Sequence, residues 1–130
     1  MTASELGVGS IGRADKTVWA QDLAEQVGSG DLPVLATPIM AALMEEAAVC
    51  CVREALDPNT TSVGTKLDIS HLAATPKGKG VQAQAELLEV KGKKLVFAVQ
   101  AWDETELIGQ GTHERVIVDR QAFMDRVEAK

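Results

Sequence analysis

Apolar and polar positions divide the chain into a mainly helical first part and a second part made of strands. In the first part, the pattern predicts a strand over residues 8–19, a short helix over 20–27 and a long helix over about 38–56. In the second part, apolar residues alternate with polar ones over 62–73, 80–90, 94–102 and 107–118, and a short helix follows Asp119. This order indicates an α+β layout with one antiparallel sheet.

The long helix is apolar on almost every side, which is typical of a buried helix. Thr37-Pro38 marks its predicted start, because a threonine hydroxyl caps free backbone N–H groups and proline suits the first helical position. Helical phase places Glu45 between Ala41 and Val49. A lone carboxylate on an apolar face is costly unless it is paired, so Glu45 is a candidate for chemistry or for a structural hydrogen bond.

One helix is apolar nearly all round only if a curled sheet wraps it. The fold predicted for residues 1–130 is therefore a single α+β hot-dog domain, with an antiparallel sheet around one long central helix. Such a sheet leaves an edge strand exposed, and pairing of edges across a two-fold axis satisfies it. A homodimer is the smallest assembly expected, with a tetramer as the alternative.

Length and charge narrow the classes of function. The chain has 130 residues, enough for one domain with a real core, and no apolar run approaches the length of a membrane span. The N-terminus lacks the order of a signal peptide, so a cytoplasmic protein is expected. A net charge of −6 argues against a nucleic-acid partner, which requires a basic surface.

The cysteines and histidines do not suggest a metal site. Cys50 and Cys51 are adjacent on the predicted helix and point about 100° apart, so they are expected to be buried, unpaired thiols. Their spacing to His71 and His113 does not match known zinc patterns. No metal is expected.

His71 is the second residue that suggests chemistry. Alternation places it at the end of a strand, on the side shared with Val63, Thr65, Leu67 and Ile69. Histidine is the usual proton carrier near neutral pH, and a hydroxyl, a histidine and a carboxylate together can activate a nucleophile or a water. From spacing alone, a structural histidine and a plain threonine cap remain open alternatives.

Four segments of the chain resemble a known enzyme family. They are residues 36–45, 63–65, 70–76 (Ser-His-Leu-Ala-Ala-Thr-Pro) and 108–115 (Ile-Gly-Gln-Gly-Thr-His-Glu-Arg). In order and spacing they are similar to the hot-dog thioesterases related to fluoroacetyl-coenzyme A thioesterase, over roughly residues 30–118. The resemblance implies that this chain hydrolyses an acyl-CoA thioester at a dimer interface, with coenzyme A as part of the substrate and no separate cofactor.

The resemblance also implies a set of site residues. Thr37, Glu45 and His71 correspond to the catalytic set, and the backbone at Gly64 to the position that contacts the acyl thioester. Glu45 would attack the acyl carbon or activate water, while His71 would position the carboxylate and move protons. Independently of the resemblance, alternation places His113 and Arg115 on the same side of the last strand. Arg115 is a candidate contact for a coenzyme phosphate, with a surface or interface ion pair as the alternative.

The chain departs from the family at the segment before the long helix. The family's fluoroacetyl-specific enzyme has a phenylalanine-rich lid there, whereas residues 23–33 contain no aromatic residue. An aromatic gate for a fluorinated acyl group is therefore not expected, and a small or medium acyl-CoA is. Two other functions fit the fold: a non-catalytic module that binds acyl-CoA or an acyl carrier and, less favoured, a hydratase.

Overall fold

The computed structural model describes residues 6–130, in which a five-stranded antiparallel sheet packs against a long helix. The strands are β1 (Ile11–Thr17), β2 (Thr60–His71), β3 (Gly80–Lys91), β4 (Lys94–Asp103) and β5 (Leu107–Asp119). The helices are α1 (Ala24–Val27), α2 (Thr37–Val52) and α3 (Arg120–Glu128), with 3₁₀ turns at Ala20–Asp22 and Arg53–Ala55. The strand order is β1-β3-β4-β5-β2, so β1 and β2 form the two edges.

α2 lies across one face of this sheet and packs mainly against β1 and β3. Its buried positions follow helical spacing and are Met40, Leu43, Met44, Ala47, Ala48 and Val52. They meet inward-facing apolar residues of the central strands, among them Leu87, Leu95 and Phe97. The predicted α+β hot-dog arrangement, a sheet around a central helix, is confirmed.

The other face of α2 is only partly covered. Ala42 and Glu46 are exposed, and Ala41, Val49 and Cys50 are half-buried. Within a single chain, the sheet covers only one side of α2. The prediction of a helix buried on every side is therefore wrong for a single chain. A partly exposed apolar surface remains beside β2.

The N-terminal elements are shorter than predicted. β1 covers Ile11–Thr17 rather than residues 8–19, and at Gly12 it passes so close to α2 that a Cβ would overlap the backbone of Ala47 and Cys51. A glycine in this strand therefore permits close packing of backbone on backbone.

The predicted helix over residues 20–27 is interrupted at Leu23. This residue has extended backbone and forms an isolated bridge with Leu35, so a continuous helix cannot pass through it. The carboxylate of Asp22, which is buried, accepts hydrogen bonds from the Trp19 N–H at 2.8 Å and from Lys16 Nζ at 2.6 Å. These contacts hold the chain in a tight turn before α1.

β2 contains a bulge that changes which residues face α2. The register with β5 shifts between Gly64 and Lys66, leaving Thr65 as the extra residue. The residues that share the inner side are therefore Ser62, Gly64, Leu67, Ile69 and His71. The placement of Val63 and Thr65 on the side of His71 is wrong, because a bulge reverses simple alternation.

Candidate active site

Thr37 is the first residue of α2 and does not cap it. Ala36 occupies the cap position with extended backbone (φ −70°, ψ 137°), and no side chain caps this helix end. Pro38 takes the second helical position, where its missing N–H also has no intrahelical acceptor. The prediction of a capping hydroxyl is wrong, because the Thr37 hydroxyl lies 2.7 Å from Nδ1 of His71 instead.

His71 closes β2 and is half-buried beside the start of α2. Burial lowers the pKa of its imidazole below the ordinary value of 6.5, and the Ala73 backbone acts in the opposite direction. The ring is therefore neutral at pH 7. When Nε2 carries the proton, Nδ1 accepts from the Thr37 hydroxyl, which is the arrangement of a base next to a nucleophile. Nε2 itself is buried and has no hydrogen-bond partner within residues 6–130.

Glu45 is neither fully buried nor alone. Its side chain is 42 % exposed, and Oε2 lies 3.3 Å from Nη1 of Arg115. The expectation of a lone carboxylate on an apolar face is therefore wrong. The inward-facing arginine on β5 supplies the partner that Glu45 needs.

Arg115 is the most heavily hydrogen-bonded side chain of the site. Its Nε donates to the Ser62 hydroxyl at 2.8 Å and its Nη2 donates to the Ser62 carbonyl at 2.9 Å. Burial lowers the pKa of the guanidinium, the Glu45 charge opposes that change, and arginine stays protonated in proteins. The side chain is 7 % exposed and its donors point inward, so this geometry favours an ion pair over a contact with a coenzyme phosphate.

His113 joins this cluster although no role was predicted for it. Its Nδ1 lies 2.7 Å from the Lys66 carbonyl and its Nε2 lies 3.1 Å from Nη1 of Arg115. The ring is buried and stacks on Phe97 at 6.1 Å between centroids. Alternation along β5, which puts His113 and Arg115 on the same side, was the sequence signal for this residue.

Gly64 forms the wall of this cluster on β2. A Cβ there would lie 2.8 Å from Oε2 of Glu45, 3.2 Å from Cε1 of His113 and 3.4 Å from Nη1 of Arg115. Any side chain would thus push against the carboxylate. Because Gly64 has no side chain, Oε2 of Glu45 lies next to the backbone of β2.

The predicted site residues therefore form two groups. Thr37 meets His71 at one end of α2, and Glu45 meets Arg115 and Gly64 further along. Thr37 and Glu45 are eight residues apart, about 12 Å along a helix axis. Within residues 6–130 no hydrogen bond joins Glu45 to Thr37 or His71. The expectation that His71 positions the Glu45 carboxylate is not met inside one chain.

A shallow cavity of about 320 Å³ lies against the Thr37–His71 pair. Its other lining residues are small or aliphatic, apart from one serine, and are Ala24, Ser29, Val34, Leu35, Leu72, Ala73 and Ala74. α1, which contributes Ala24, ends at Val27 with Gly28 as its C-terminal cap. The segment before α2 therefore presents aliphatic rather than aromatic side chains to this cavity.

The described part of the chain contains neither a metal-binding cluster nor a membrane-spanning helix. No group of three or more histidine, cysteine, aspartate or glutamate residues in it is arranged to hold a metal ion. None of the helices within residues 6–130 has the length and hydropathy required to span a membrane.

The family model described as "FlK: Fluoroacetyl-CoA-specific thioesterase" matches residues 18–121. The chain belongs to the fluoroacetyl-CoA-specific thioesterase family. It is 41 % identical over 97 residues to the fluoroacetyl-CoA thioesterase of Streptantibioticus cattleyicolor, a match covering 75 % of this chain and 70 % of that protein. As a member of this family, the chain is a thioesterase.

Solved structures support the same assignment. A threonine-to-serine variant of the fluoroacetyl-CoA enzyme, crystallised with acetyl-CoA, superposes with a TM-score of 0.90 at 32 % identity, covering 95 % of this chain and 97 % of that one. A hot-dog-like protein from Thermanaerovibrio acidaminovorans gives a TM-score of 0.88 at 25 % identity, covering 99 % and 96 %. Both similarities extend over nearly the whole chain, so family and fold agree.

Proposed function

We propose that this thioesterase hydrolyses an acyl-CoA thioester to the free acid and coenzyme A through Thr37, His71 and Glu45. The observation that carries the proposal is the 2.7 Å contact between the Thr37 hydroxyl and Nδ1 of His71 at the wall of a cavity. A neutral imidazole hydrogen-bonded to a hydroxyl is able to move a proton to or from the reacting atoms. Similarity to the enzyme crystallised with acetyl-CoA supports the coenzyme A ester as substrate.

Glu45 delivers the attack on the acyl carbon. Its carboxylate is partly exposed, held by Arg115 and close to the bare backbone at Gly64. It either takes a proton from an attacking water or attacks the carbon itself. In both routes the carbon–sulfur bond breaks and water supplies the new oxygen of the acid. The leaving thiolate takes a proton by way of the Thr37–His71 pair, and the water replaces that proton, so the coenzyme leaves as a thiol.

The backbone beside Gly64 is assigned to the thioester oxygen. The bulge between Gly64 and Lys66 interrupts the regular hydrogen-bond ladder, which supports a backbone N–H at this point as the donor to that oxygen. One donor aimed at an oxygen that becomes negative contributes about 3 kcal/mol to the transition state. The free N–H groups at the start of α2 are the alternative donors.

The active site is completed by a second copy of the chain. Thr37 and Glu45 are about 12 Å apart along α2, too far to act on one carbonyl carbon. The half-covered face of α2 and the free edge of β2 lie next to both groups. A two-fold dimer through this surface would bring Thr37 and His71 of one protomer to the partner's Glu45, giving two composite sites.

Release of free thiol from acetyl-, fluoroacetyl- and butyryl-CoA tests this function. Glu45→Gln keeps the shape of the side chain but removes its charge, and turnover is expected to fall by at least about 100-fold. The matched control is Glu46→Gln, since Glu46 is exposed on the neighbouring side of the same helix turn. Full activity of Glu45→Gln would refute the assigned residue. Tight binding of all three esters without turnover would favour a non-catalytic binding module.

A further inference from the structure

The Arg115 guanidinium contacts four polar atoms inside the protein. Besides Glu45, it contacts the hydroxyl and the carbonyl of Ser62, and Nε2 of His113. Ser62 and His113 are themselves buried. A planar guanidinium bound at so many points has one orientation, and that orientation decides where the Glu45 oxygen is held.

The tautomer of His113 follows from its neighbours. Nδ1 lies 2.7 Å from the Lys66 carbonyl, and because a carbonyl only accepts, Nδ1 carries the proton. Nε2 is then an acceptor, and it lies 3.1 Å from Nη1 of Arg115, which only donates. Both contacts are satisfied by one neutral ring with the proton on Nδ1.

A direct ion pair between His113 and Glu45 does not explain the arrangement. Nε2 lies 3.9 Å from Oε2 of Glu45, whereas Nη1 of Arg115 is closer to both atoms. Burial, as the largest influence, lowers the pKa of His113 below 6.5, and the Arg115 charge acts in the same direction. A neutral His113 thus bonds to Arg115 rather than pairing with the carboxylate.

We propose that His113 and Ser62 are positioning residues, which orient the Arg115 guanidinium so that Nη1 holds the Glu45 carboxylate beside Gly64. The inference rests on the proposed role of Glu45 as the group that delivers the attack. His113 acts on Glu45 through Arg115, which its Nε2 contacts. On the other side of the ring, Nδ1 donates to the Lys66 carbonyl, and this bond fixes the orientation of the ring. The β2 bulge contributes to this geometry, because Lys66 and Ser62 lie on opposite sides of it.

The first test replaces His113 by two amides that each keep one of its contacts. In His113→Gln the amide oxygen sits near the position of Nε2 and keeps an acceptor for Arg115. In His113→Asn the amide nitrogen sits near Nδ1 and keeps only the donor to Lys66. We expect kcat to fall about 100-fold for His113→Asn, because a displacement of the Glu45 carboxylate by about 1 Å lowers the rate by about that factor. For His113→Gln we expect a fall in kcat of under about tenfold, because the contact with Arg115 is kept.

KM and folding separate positioning from general destabilisation. Both variants lose ring packing against Phe97, so both are expected to unfold at lower urea concentration. KM for the acyl-CoA is expected to stay within about threefold, because an interaction that acts at the transition state affects kcat. The proposal would be overturned if both variants lost kcat equally and in proportion to their loss of folded protein.

Ser62→Ala gives a second test with a smaller change in the core. It leaves Nε of Arg115 without its hydroxyl acceptor, and kcat is expected to fall about tenfold with little change in KM. Thr112→Val on the outer face of β5 is the matched control and is expected to leave kcat unchanged. Wild-type kcat in Ser62→Ala would contradict the role of Ser62.

Nitrogen NMR reads the tautomer directly, since the chain contains two histidines. In ¹⁵N-labelled protein at pH 7.5, His113 is expected to show the proton on Nδ1. A proton on Nε2 would overturn the inference, because that atom would then not accept from Arg115.

The variants distinguish a failure of the proposed function from a failure of the positioning inference. If Glu45→Gln stays active while the tautomer is as expected, the assignment of Glu45 to the attack is wrong. If Glu45→Gln is inactive while Ser62→Ala and His113→Asn keep full kcat, the positioning inference fails alone.

Discussion

The hydroxyl of Thr37 and Nδ1 of His71 are 2.7 Å apart, although 34 positions separate the two residues in the sequence. The contact joins the first residue of α2 to the last residue of β2. It links the main helix of the fold to the free edge of the sheet. The same pair borders the cavity of small and aliphatic side chains, in which we expect the acyl group to bind.

Replacing Thr37 by valine is expected to lower kcat by about 100- to 10,000-fold, the range found when proton transfer is lost. Valine has nearly the same shape but no hydroxyl for His71. Thr37→Ser retains the hydroxyl and is expected to keep at least about a tenth of the activity. Thiol release at saturating acyl-CoA measures both variants. Wild-type kcat in Thr37→Val would remove Thr37 from the chemistry.

Gly64→Ala is expected to reduce kcat by about 100-fold, because its Cβ would displace the Glu45 carboxylate. Gly80→Ala is the matched control, since a Cβ there would meet its nearest atom, Oε2 of Glu104, at 3.6 Å. Steady-state kinetics on both proteins provide the comparison. Equal activities would show that the approach of Glu45 to Gly64 is unimportant.

Stability is expected to fall as the pH decreases through 6.5. Burial lowers the pKa of His71 and His113 in the folded chain, so below 6.5 the unfolded chain binds protons that the folded chain does not. The free energy of unfolding therefore decreases until the folded-state pKa values are reached. Urea unfolding between pH 7.5 and 5.5 at fixed protein concentration measures this slope. The His71→Gln, His113→Gln double variant should show a shallower slope, and an unchanged slope would contradict the assignment.

The aliphatic cavity predicts a preference for longer acyl groups. Each methylene buried between acetyl- and butyryl-CoA is expected to raise kcat/KM by about fourfold, which corresponds to about 0.8 kcal/mol. Val34→Phe should remove that gain by filling the cavity, whereas Val27→Phe, outside the lining, should not. A kcat/KM that is highest for fluoroacetyl-CoA and falls with chain length would refute an aliphatic acyl site.

The order of elements and the hot-dog arrangement were predictable because alternation and helical spacing are local properties of a sequence. The bulge at Thr65 was not, since it depends on pairing between β2 and β5. That single extra residue moves Gly64 to the inner side, next to Glu45. The same local reasoning made Thr37 a cap, although the backbone gives that position to Ala36.

The candidate site was predictable only in part. The resemblance selected Thr37, His71 and Glu45, and the structure joins the first two. The partner of Glu45 is Arg115, which comes from a strand 70 residues later in the chain. His113 was visible as a neighbour of Arg115 by alternation, but its acceptor role depends on the Lys66 carbonyl, which no sequence pattern predicts.

Complementation between inactive variants tests the composite site most directly. Thr37→Val and Glu45→Gln chains carrying different tags are co-expressed, and the mixed dimer is purified through both tags. Each mixed dimer then contains one site with wild-type Thr37, His71 and the partner's Glu45, so about half of the wild-type activity is expected. Mixed dimers as inactive as the two parent variants would show that Thr37 and Glu45 do not meet across the interface.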